Sequence, residues 1–318
     1  MTYLFGPVPS RRLGCSLGVD VIPYKTCTYD CIYCQLGTTT HLTTERSADV
    51  PVGAVLDELD ETLRSDRTPD YITLAGSGEP TLYAELGTLI AGIKARTAIP
   101  VAVITNGSLL WDTAVRAAVC QADLVIPSLD AGDETLFRCI NRPHPEINYT
   151  RMLDGLAALR MDYHGPIWLE VMLLAGMTAI AAEVEKIKGH LERIKPDRVQ
   201  VNTVVRPPAK DFAMPVPADR LQVFSQQLGA YADVIHDTQH AHDEPMAVAT
   251  RQDIINLLKR RPCSLDDIAH GLNMHPNEVT KHLEFLHAHQ CVTLASCDGQ
   301  RYYAMPQQSC TGMATDTT

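Results

Sequence analysis

The chain has 318 residues, of which 45% are hydrophobic and 20% are charged, and its formal net charge at pH 7 is −11. This length allows one large α/β domain and a second small one. No apolar run approaches the ~20 residues that span a bilayer, and the start of the chain lacks the apolar core of a signal peptide. The acidic balance excludes a general attraction to nucleic acid or anionic membranes, so we expect a soluble cytoplasmic protein without a membrane partner.

Six short β-rich runs alternate with amphipathic stretches over most of the chain. The predicted strands cover residues 17–23, 71–75, 101–105, 124–128, 167–174 and 198–204. Each is a nearly continuous apolar run, which is typical of a strand covered on both faces. Helical spacing is clearest over residues 180–194, and Pro51 begins another helix that runs toward Arg64. Repeated strand–helix units predict a parallel sheet, either a partial (β/α)6 barrel or an open doubly wound sheet.

The pattern of alternating strands and helices ends at a polar stretch without periodicity. Residues 236–246 are predicted to link a core domain, 1–235, to a smaller domain, 247–306, and residues 307–318 are predicted to be a disordered tail. The smaller domain shows a short helix that ends near Arg261, a second over 265–272 with Ser264 as N-cap, and a third over 276–288. A hairpin with an Asp-Gly turn follows. Three helices and a two-stranded wing resemble a winged helix-turn-helix.

The most informative motif is a set of three cysteines, Cys27, Cys31 and Cys34, separated by three and then two residues. Thiolates at this spacing can wrap one loop around one metal centre. A cubane iron–sulfur cluster held by three thiolates keeps one iron without a protein ligand. A structural zinc site would need a fourth ligand, for which Cys15 and His41 are the nearest candidates, and a ferredoxin-like carrier would need a fourth cysteine. Disulfides are disfavoured in a chain without a secretory leader.

A second motif, Ala75-Gly76-Ser77-Gly78-Glu79-Pro80, follows the second predicted strand; we call residues 76–80 the 76–80 loop. Its glycines let the backbone approach a ligand closely, and the carboxyl ends of parallel strands are where active sites gather. A plain βα turn is the alternative. Further polar residues fall at or near the other strands, namely Asn106, Ser128, Asp130, Arg142, Glu170 and Asn202. Each of these side chains could instead cap a helix or form a buried structural pair.

The cysteine motif and the 76–80 loop together resemble those of the radical SAM superfamily, where SAM is S-adenosyl-L-methionine. The resemblance implies a partial (β/α)6 TIM-like barrel, a 4Fe-4S cluster on the three cysteines, and SAM bound beside it. It places Gly76, Gly78, Glu79 and Pro80 at the amino group of SAM, with Glu79 either as a partner of the ammonium or as a brace for the loop. It places Tyr33 against the adenine. The six strand-associated polar residues would then hold the methionine carboxylate and the ribose hydroxyls.

The same resemblance implies the chemistry. One electron, from a flavodoxin or ferredoxin, cleaves SAM to methionine and a 5′-deoxyadenosyl radical, which abstracts hydrogen from a substrate. No residue of this chain is assigned a catalytic role beyond cofactor binding. Residues 5–14 and 205–208 resemble a group related to the wybutosine-synthesising, tRNA-modifying Fe-S oxidoreductases. Those enzymes carry further cysteines upstream, whereas this chain has only Cys15 there. The substrate therefore stays open between an RNA base, a peptide or protein, and a small metabolite.

Two further features leave alternatives open. Arg11, Arg12 and Arg206 could meet an anionic substrate, or could be solvated or salt-bridged surface residues. The four C-terminal cysteines match no compact ligand spacing for a second metal site; they are Cys263, Cys291, Cys297 and Cys310.

The competing hypothesis is a cluster-bearing regulator that binds nucleic acid through the winged helix. Residues 247–318 carry six basic and seven acidic residues, a net charge of −1, which is a poor footprint for phosphate contacts. Recognition of a protein or peptide, or packing between domains, is equally compatible with that charge. The regulator hypothesis also leaves the 76–80 loop without a purpose.

Overall fold

The computed structural model describes residues 3–64, 68–235, 250–272, 274, 276–297 and 299–306; the predicted linker, 236–246, and tail, 307–318, lie outside these ranges. The strands are β1 (Leu4–Ser10), β2 (Gly14–Val19), β3 (Thr26–Cys27), β4 (His41–Leu42), β5 (Tyr71–Leu74), β6 (Val101–Thr105), β7 (Leu124–Pro127), β8 (Trp168–Met172), β9 (Arg198–Asn202), β10 (Ala232–Val234), β11 (Thr293–Cys297) and β12 (Gln300–Ala304). The helices are α1 (Val52–Thr62), α2 (Leu86–Lys94), α3 (Thr113–Val119), α4 (Glu134–Ile140), α5 (Tyr149–Asp162), α6 (Ala181–Ile194), α7 (Ala218–Leu228), α8 (Arg251–Leu258), α9 (Leu265–Gly271) and α10 (Pro276–Ala288).

The strands of the N-terminal part lie side by side in the order β1-β2-β5-β6-β7-β8-β9-β10. Parallel bridges from Val125 to Ile167 and from Ser128 to Glu170 join β7 to β8, and only β1 runs antiparallel to its neighbour. From β2 to β9 the order follows the chain without reversal, so right-handed crossovers place the connecting helices on one face. A doubly wound sheet needs a reversal. The predicted α/β fold with a parallel sheet is confirmed, and this strand order favours the partial (β/α)6 barrel.

The two faces of the sheet differ in what covers them. Successive strand residues point to opposite faces, and those that face the helices, such as Val199 and Val201, belong to the main hydrophobic core. The other face carries a small apolar cluster of Leu13, Ala102, Leu124 and Ile126, together with buried polar residues on β8 and β9. Because Leu13 comes from the turn between β1 and β2, that turn closes one end of this second face. Burial on both faces explains the continuous apolar runs in the sequence.

The first strand differs from its prediction. Residues 17–23 were expected, whereas β2 covers Gly14–Val19. The strand begins earlier because it pairs with β1, from Ser10 opposite Gly14 to Leu4 opposite Val19. The sequence does not predict β1, since it contains Pro7 and Pro9 and proline is excluded from central strands. As an edge strand, β1 tolerates them.

The described residues of 250–306 form a separate hydrophobic core, and we call them the C-terminal unit. Ile254, Leu257, Val279 and Leu283 are buried in that core. The Ser264 side chain caps α9 as predicted, and β11 pairs antiparallel with β12. These elements have the order expected for a winged helix-turn-helix, an assignment that stays a prediction. Within the described ranges, no helix is both long and apolar enough to cross a membrane.

Candidate functional site

The three cysteines lie on a loop, here called the cysteine loop (residues 27–34), beyond the carboxyl end of β2. Ile32 anchors this loop because its side chain is fully buried and its N–H donates to the Ile140 carbonyl at the end of α4, 2.9 Å away. The Cys34 N–H donates to the Cys31 carbonyl at 3.1 Å, which tightens the turn. The local sequence therefore places the thiols between β2 and the end of α4.

The environment of the thiols favours their protonated form. Burial raises the pKa of Cys27 to about 12, and it raises the pKa values of Cys31 and Cys34 as well. The charges of neighbouring cysteines add to the rise for Cys27 and Cys31, so the three groups lie within electrostatic reach of one another. A metal centre on this loop must therefore displace protons. In the part of the chain that the structure describes, no three or more His, Cys, Asp or Glu side chains gather closely enough to hold a single metal ion, so neither Cys15 nor His41 completes a zinc site.

Two asparagine side chains offer hydrogen-bond donors to the thiol sulfurs. The amide nitrogen of Asn106 lies 3.6 Å from the sulfur of Cys27, and that of Asn141 lies 3.5 Å from the sulfur of Cys31. Donors to ligand sulfurs stabilise the thiolate and tune a bound cluster. Asn106 was predicted as a cofactor residue, whereas Asn141 was not assigned to the site. The sequence around Asn141 shows only a polar Asn-Arg-Pro turn after α4. It does not show that this turn packs against the cysteines.

The 76–80 loop packs directly against the start of the cysteine loop. The Glu79 N–H donates to the Thr26 carbonyl at 3.2 Å, and the Lys25 N–H donates to the Ser77 carbonyl at 2.7 Å. A Cβ atom on Gly78 would overlap the Thr26 oxygen, so only glycine permits this approach. Pro80 begins a short 3-10 turn, Pro80–Leu82. The two motifs, about fifty residues apart in sequence, thus lie side by side.

The Glu79 carboxylate is turned into the protein and braces the 76–80 loop. One oxygen accepts from the Thr81 N–H (3.0 Å), the Thr81 hydroxyl (2.6 Å) and the Thr105 hydroxyl (2.5 Å). The other oxygen accepts from the Asn106 N–H at 2.7 Å. Burial raises the pKa of Glu79, and these hydrogen bonds oppose the rise. Of the two roles expected for Glu79, the geometry matches the brace.

Asp130 is the centre of a second hydrogen-bonded group beside the cysteines. Its carboxylate accepts from the hydroxyl of Tyr33, from the side-chain amide of Asn141 (2.8 Å) and from the N–H of Met172 (3.0 Å). Burial raises the pKa of Asp130 to about 6, against the lowering effect of these donors. The structure therefore brings together two predicted cofactor residues, Tyr33 and Asp130, through contacts that the sequence does not indicate. Tyr33 is partly exposed, and its predicted contact with adenine stays a prediction.

Glu170 and Asn202 meet on the face of the sheet that the helices do not cover. The Asn202 amide donates to Glu170 at 2.9 Å, and the Arg12 guanidinium donates to the same oxygen at 2.5 Å. Arg11 reaches the side-chain oxygen of Asn202 at 3.4 Å. The buried structural pairing anticipated for these two residues is thus present. The Arg12 side chain is only 19% exposed, so it lies against this face of the sheet rather than on the protein surface.

The remaining predicted residues occupy different surroundings. Ser128 lies just beyond β7, where its N–H donates to the Thr105 carbonyl at 3.1 Å. Arg142 has a left-handed backbone (φ 44°), and its guanidinium lies 3.9 Å from Asp30 beside the cysteine loop, so it is not brought to Glu170 and Asn202. Arg206 forms an ion pair with Asp267 of the C-terminal unit at 3.5 Å.

The C-terminal cysteines do not form a second centre within the described ranges. Cys263 is fully buried in the core of the C-terminal unit, and it belongs to no group of ligands there that could hold a metal ion. Cys310 lies outside the described residues.

Comparison with known proteins identifies the family. The model of the radical SAM superfamily matches residues 21–188, which include the cysteine loop and the 76–80 loop. Members of this superfamily use a 4Fe-4S cluster and S-adenosyl-L-methionine. A solved radical SAM methyltransferase from Sphaerobacter thermophilus is similar in fold, with a TM-score of 0.54 and 18% identity over 69% of this chain and 66% of that one.

Two curated relatives are similar in sequence. A UPF0026 protein of Helicobacter pylori is 32% identical over 308 residues, which cover 95% of this chain and 97% of the relative. A protein of Brachyspira hyodysenteriae named GTPase Obg is 41% identical over 286 residues, or 89% of this chain, but the match spans only 42% of that protein's length. Because the family model covers more than half of its residues, the chain belongs to the radical SAM superfamily, whose cofactors are a 4Fe-4S cluster and S-adenosyl-L-methionine.

Proposed function

We propose that this chain is a radical SAM Fe-S oxidoreductase in which one electron from the 4Fe-4S cluster breaks the sulfur–carbon bond of SAM, leaving methionine and a 5′-deoxyadenosyl radical that takes a hydrogen atom from a substrate. The observation that carries the proposal is the contact between the cysteine loop and the 76–80 loop. The Glu79 N–H donates to the carbonyl of Thr26, the residue directly before the cysteine loop, at 3.2 Å. The ligands for a cluster and the loop expected at the SAM amino group therefore share one edge of the sheet.

The donor set suits an iron–sulfur cluster. Cys27, Cys31 and Cys34 supply three thiols and no oxygen ligand, which is the soft chemistry that such clusters require. Asn106 and Asn141 lie within hydrogen-bond distance of two of the sulfurs. These amides stabilise the deprotonated ligands that burial alone disfavours.

The residues around SAM have distinct tasks in this proposal. The backbone of Gly76, Gly78 and Pro80 meets the amino group, held in place by the Glu79 brace. Asp130 orients Tyr33 through its hydroxyl. The other predicted contacts, which receive the carboxylate and the ribose hydroxyls, are Asn106, Ser128, Arg142, Glu170 and Asn202. Charged and amide groups bind the polar parts of a ligand by charge-assisted hydrogen bonds.

The substrate is proposed only as a class bearing a C–H bond that the radical can reach: an RNA base, a peptide or protein, or a small metabolite. A one-electron donor such as flavodoxin or ferredoxin is the expected partner. The link to the wybutosine-synthesising enzymes and the winged-helix assignment stay predictions. Membership of the radical SAM superfamily does not favour the nucleic-acid regulator.

The test is a single-turnover assay without oxygen. The cluster is reconstituted, SAM and dithionite are added, and 5′-deoxyadenosine and methionine are quantified. We expect both products from the wild type and neither from Cys31→Ala, whereas Cys139→Ala, which removes an exposed thiol, should behave as the wild type. A wild-type protein with a complete cluster that yields no more 5′-deoxyadenosine than Cys31→Ala would overturn the proposal.

A further inference from the structure

The C-terminal unit is docked on β1, which is one edge strand of the sheet, and on the segment that follows β9. Val8 of β1 belongs to the hydrophobic core of the unit. The Tyr302 hydroxyl donates to the Val205 carbonyl at 2.8 Å, just beyond β9, and Arg206 pairs with Asp267. The contacts therefore reach from the β1 edge of the sheet to the segment that follows β9.

One side chain of the unit extends further, to the end of β2. Arg260 follows α8, and its guanidinium lies 4.4 Å from the ring centroid of Phe5. Its Nε atom is 3.8 Å from a carboxylate oxygen of Asp20, and the two side chains are only 11% and 9% exposed. Asp20 directly follows β2. The pair is thus a largely buried ion pair between the C-terminal unit and the barrel.

Asp20 in turn holds the 76–80 loop. The Ser77 hydroxyl donates to its carboxylate at 2.6 Å. A Cβ atom on Gly76 would overlap the same carboxylate, so the loop backbone lies against it. One oxygen of Asp20 and the Nε of Arg260 are buried without a hydrogen-bond partner. The charge of Arg260 and the Ser77 hydroxyl therefore both stabilise the carboxylate.

We propose that Arg260 is a positioning residue for SAM: through Asp20 it fixes Ser77 and the 76–80 loop, so that the C-terminal unit completes the cofactor site. This inference rests on the proposed function, because it assumes that the loop binds SAM. A buried carboxylate that loses its cation takes up a proton or turns away, and removing one partner of such a pair is costly. Ser77 then loses a charged acceptor, and SAM must order a looser loop on binding, which weakens its affinity.

The test compares three variants of the full chain, each with a reconstituted cluster. Arg260→Met removes the cation, Lys259→Met changes the exposed neighbour, and Arg206→Met breaks the other ion pair to the unit without touching Asp20. SAM affinity is measured by calorimetry, and hydrogen exchange of the loop is measured without SAM. We expect Arg260→Met to weaken SAM binding about tenfold, or about 1.4 kcal/mol, with faster exchange in the loop. Lys259→Met should match the wild type, and Arg206→Met should lower the unfolding temperature while SAM affinity stays within about twofold.

Ser77→Ala tests the same connection from the barrel side and leaves the C-terminal unit unaltered. It should weaken SAM binding as Arg260→Met does, and the double variant should be no weaker than the worse single variant, since both act on one connection. Wild-type affinity in Arg260→Met or in Ser77→Ala, or an equal loss in Arg206→Met, would overturn the inference. A wild-type protein that binds no SAM would instead overturn the proposed function.

Discussion

Replacing Glu79 with glutamine separates its two expected roles. If the carboxylate braces the loop, Glu79→Gln should destabilise the protein even without cofactors. In the wild type, the backbone N–H groups of Asn106 and Thr81 donate to the two carboxylate oxygens at 2.7 and 3.0 Å. In one orientation of the glutamine its NH2 group faces the N–H of Asn106, and in the other it faces the N–H of Thr81. The threonine hydroxyls can rotate and accept, whereas a backbone N–H cannot. One buried N–H is therefore left without an acceptor.

The magnitude follows from that single unmet donor. A buried unsatisfied N–H costs about 1–3 kcal/mol. Removing the charge of a buried carboxylate offsets part of this, because burial raises the pKa of Glu79 and so disfavours its ionised form. We expect the free energy of unfolding to fall by about 2 kcal/mol, which for a domain of roughly 200 residues lowers the unfolding temperature by about 4–8 °C.

The assay is thermal unfolding of the cluster-free protein, followed by calorimetry with SAM on the reconstituted protein. Glu85→Gln is the matched control, since Glu85 is exposed and makes no side-chain cap on α2. A role as the ammonium partner predicts the opposite pattern: unchanged or higher stability without cofactors, together with a loss of SAM binding. That pattern would refute the brace.

Three further outcomes are expected. Burial raises the pKa of Asp130 from 3.8 to about 6, so between these values the folded protein retains a proton that the unfolded chain has lost. The free energy of unfolding of the cluster-free protein should therefore fall by up to about 3 kcal/mol as pH rises through this window. Denaturant unfolding at a series of pH values should show that this fall is missing in Asp130→Asn. Asn141→Leu removes the amide 3.5 Å from the Cys31 sulfur, so an EPR-monitored titration should give a lower reduction potential, and an unchanged potential would mean that the amide does not act on the thiolate. Removing the metal from the reconstituted protein with a chelator should lower the unfolding temperature of the wild type and of Cys139→Ala, but not that of Cys31→Ala. An equal drop in all three proteins would mean that the metal is bound elsewhere.

The sequence predicts the bounds of strands and helices well where the burial of their own side chains determines those bounds. The strand expected over residues 101–105 is β6, Val101–Thr105, and the helix expected over 276–288 is α10, Pro276–Ala288. Prediction fails where pairing with a distant partner sets the boundary. The start of β2 depends on β1, and a strand with two prolines carries no strand signal of its own. Periodicity also cannot separate a barrel from a doubly wound sheet, because the difference lies in the order of the strands.

For the site, motifs that are continuous in the chain are predictable and pairs that close over long separations are not. The cysteine spacing and the 76–80 loop are read directly. The contact between Asn141 and Cys31 spans 110 positions, and that between Arg12 and Glu170 spans 158. Nothing in the local pattern of either residue marks its partner. Asp20 carries only a weak signal, a polar residue directly after a strand, which is equally typical of a turn.

The charges around the 76–80 loop explain how a braced Glu79 still favours SAM. Two carboxylates lie against the loop, that of Glu79 buried and that of Asp20 only 9% exposed, and Arg260 forms an ion pair with Asp20. Of these two carboxylates, Glu79 is then the one whose negative charge is not paired with a cation. Its oxygens accept hydrogen bonds that hold the loop. An ammonium bound to the loop backbone is attracted by this charge across a medium of low dielectric constant without touching it. Bracing and attraction are therefore compatible, and only the stability of the cofactor-free protein distinguishes a brace from a direct partner.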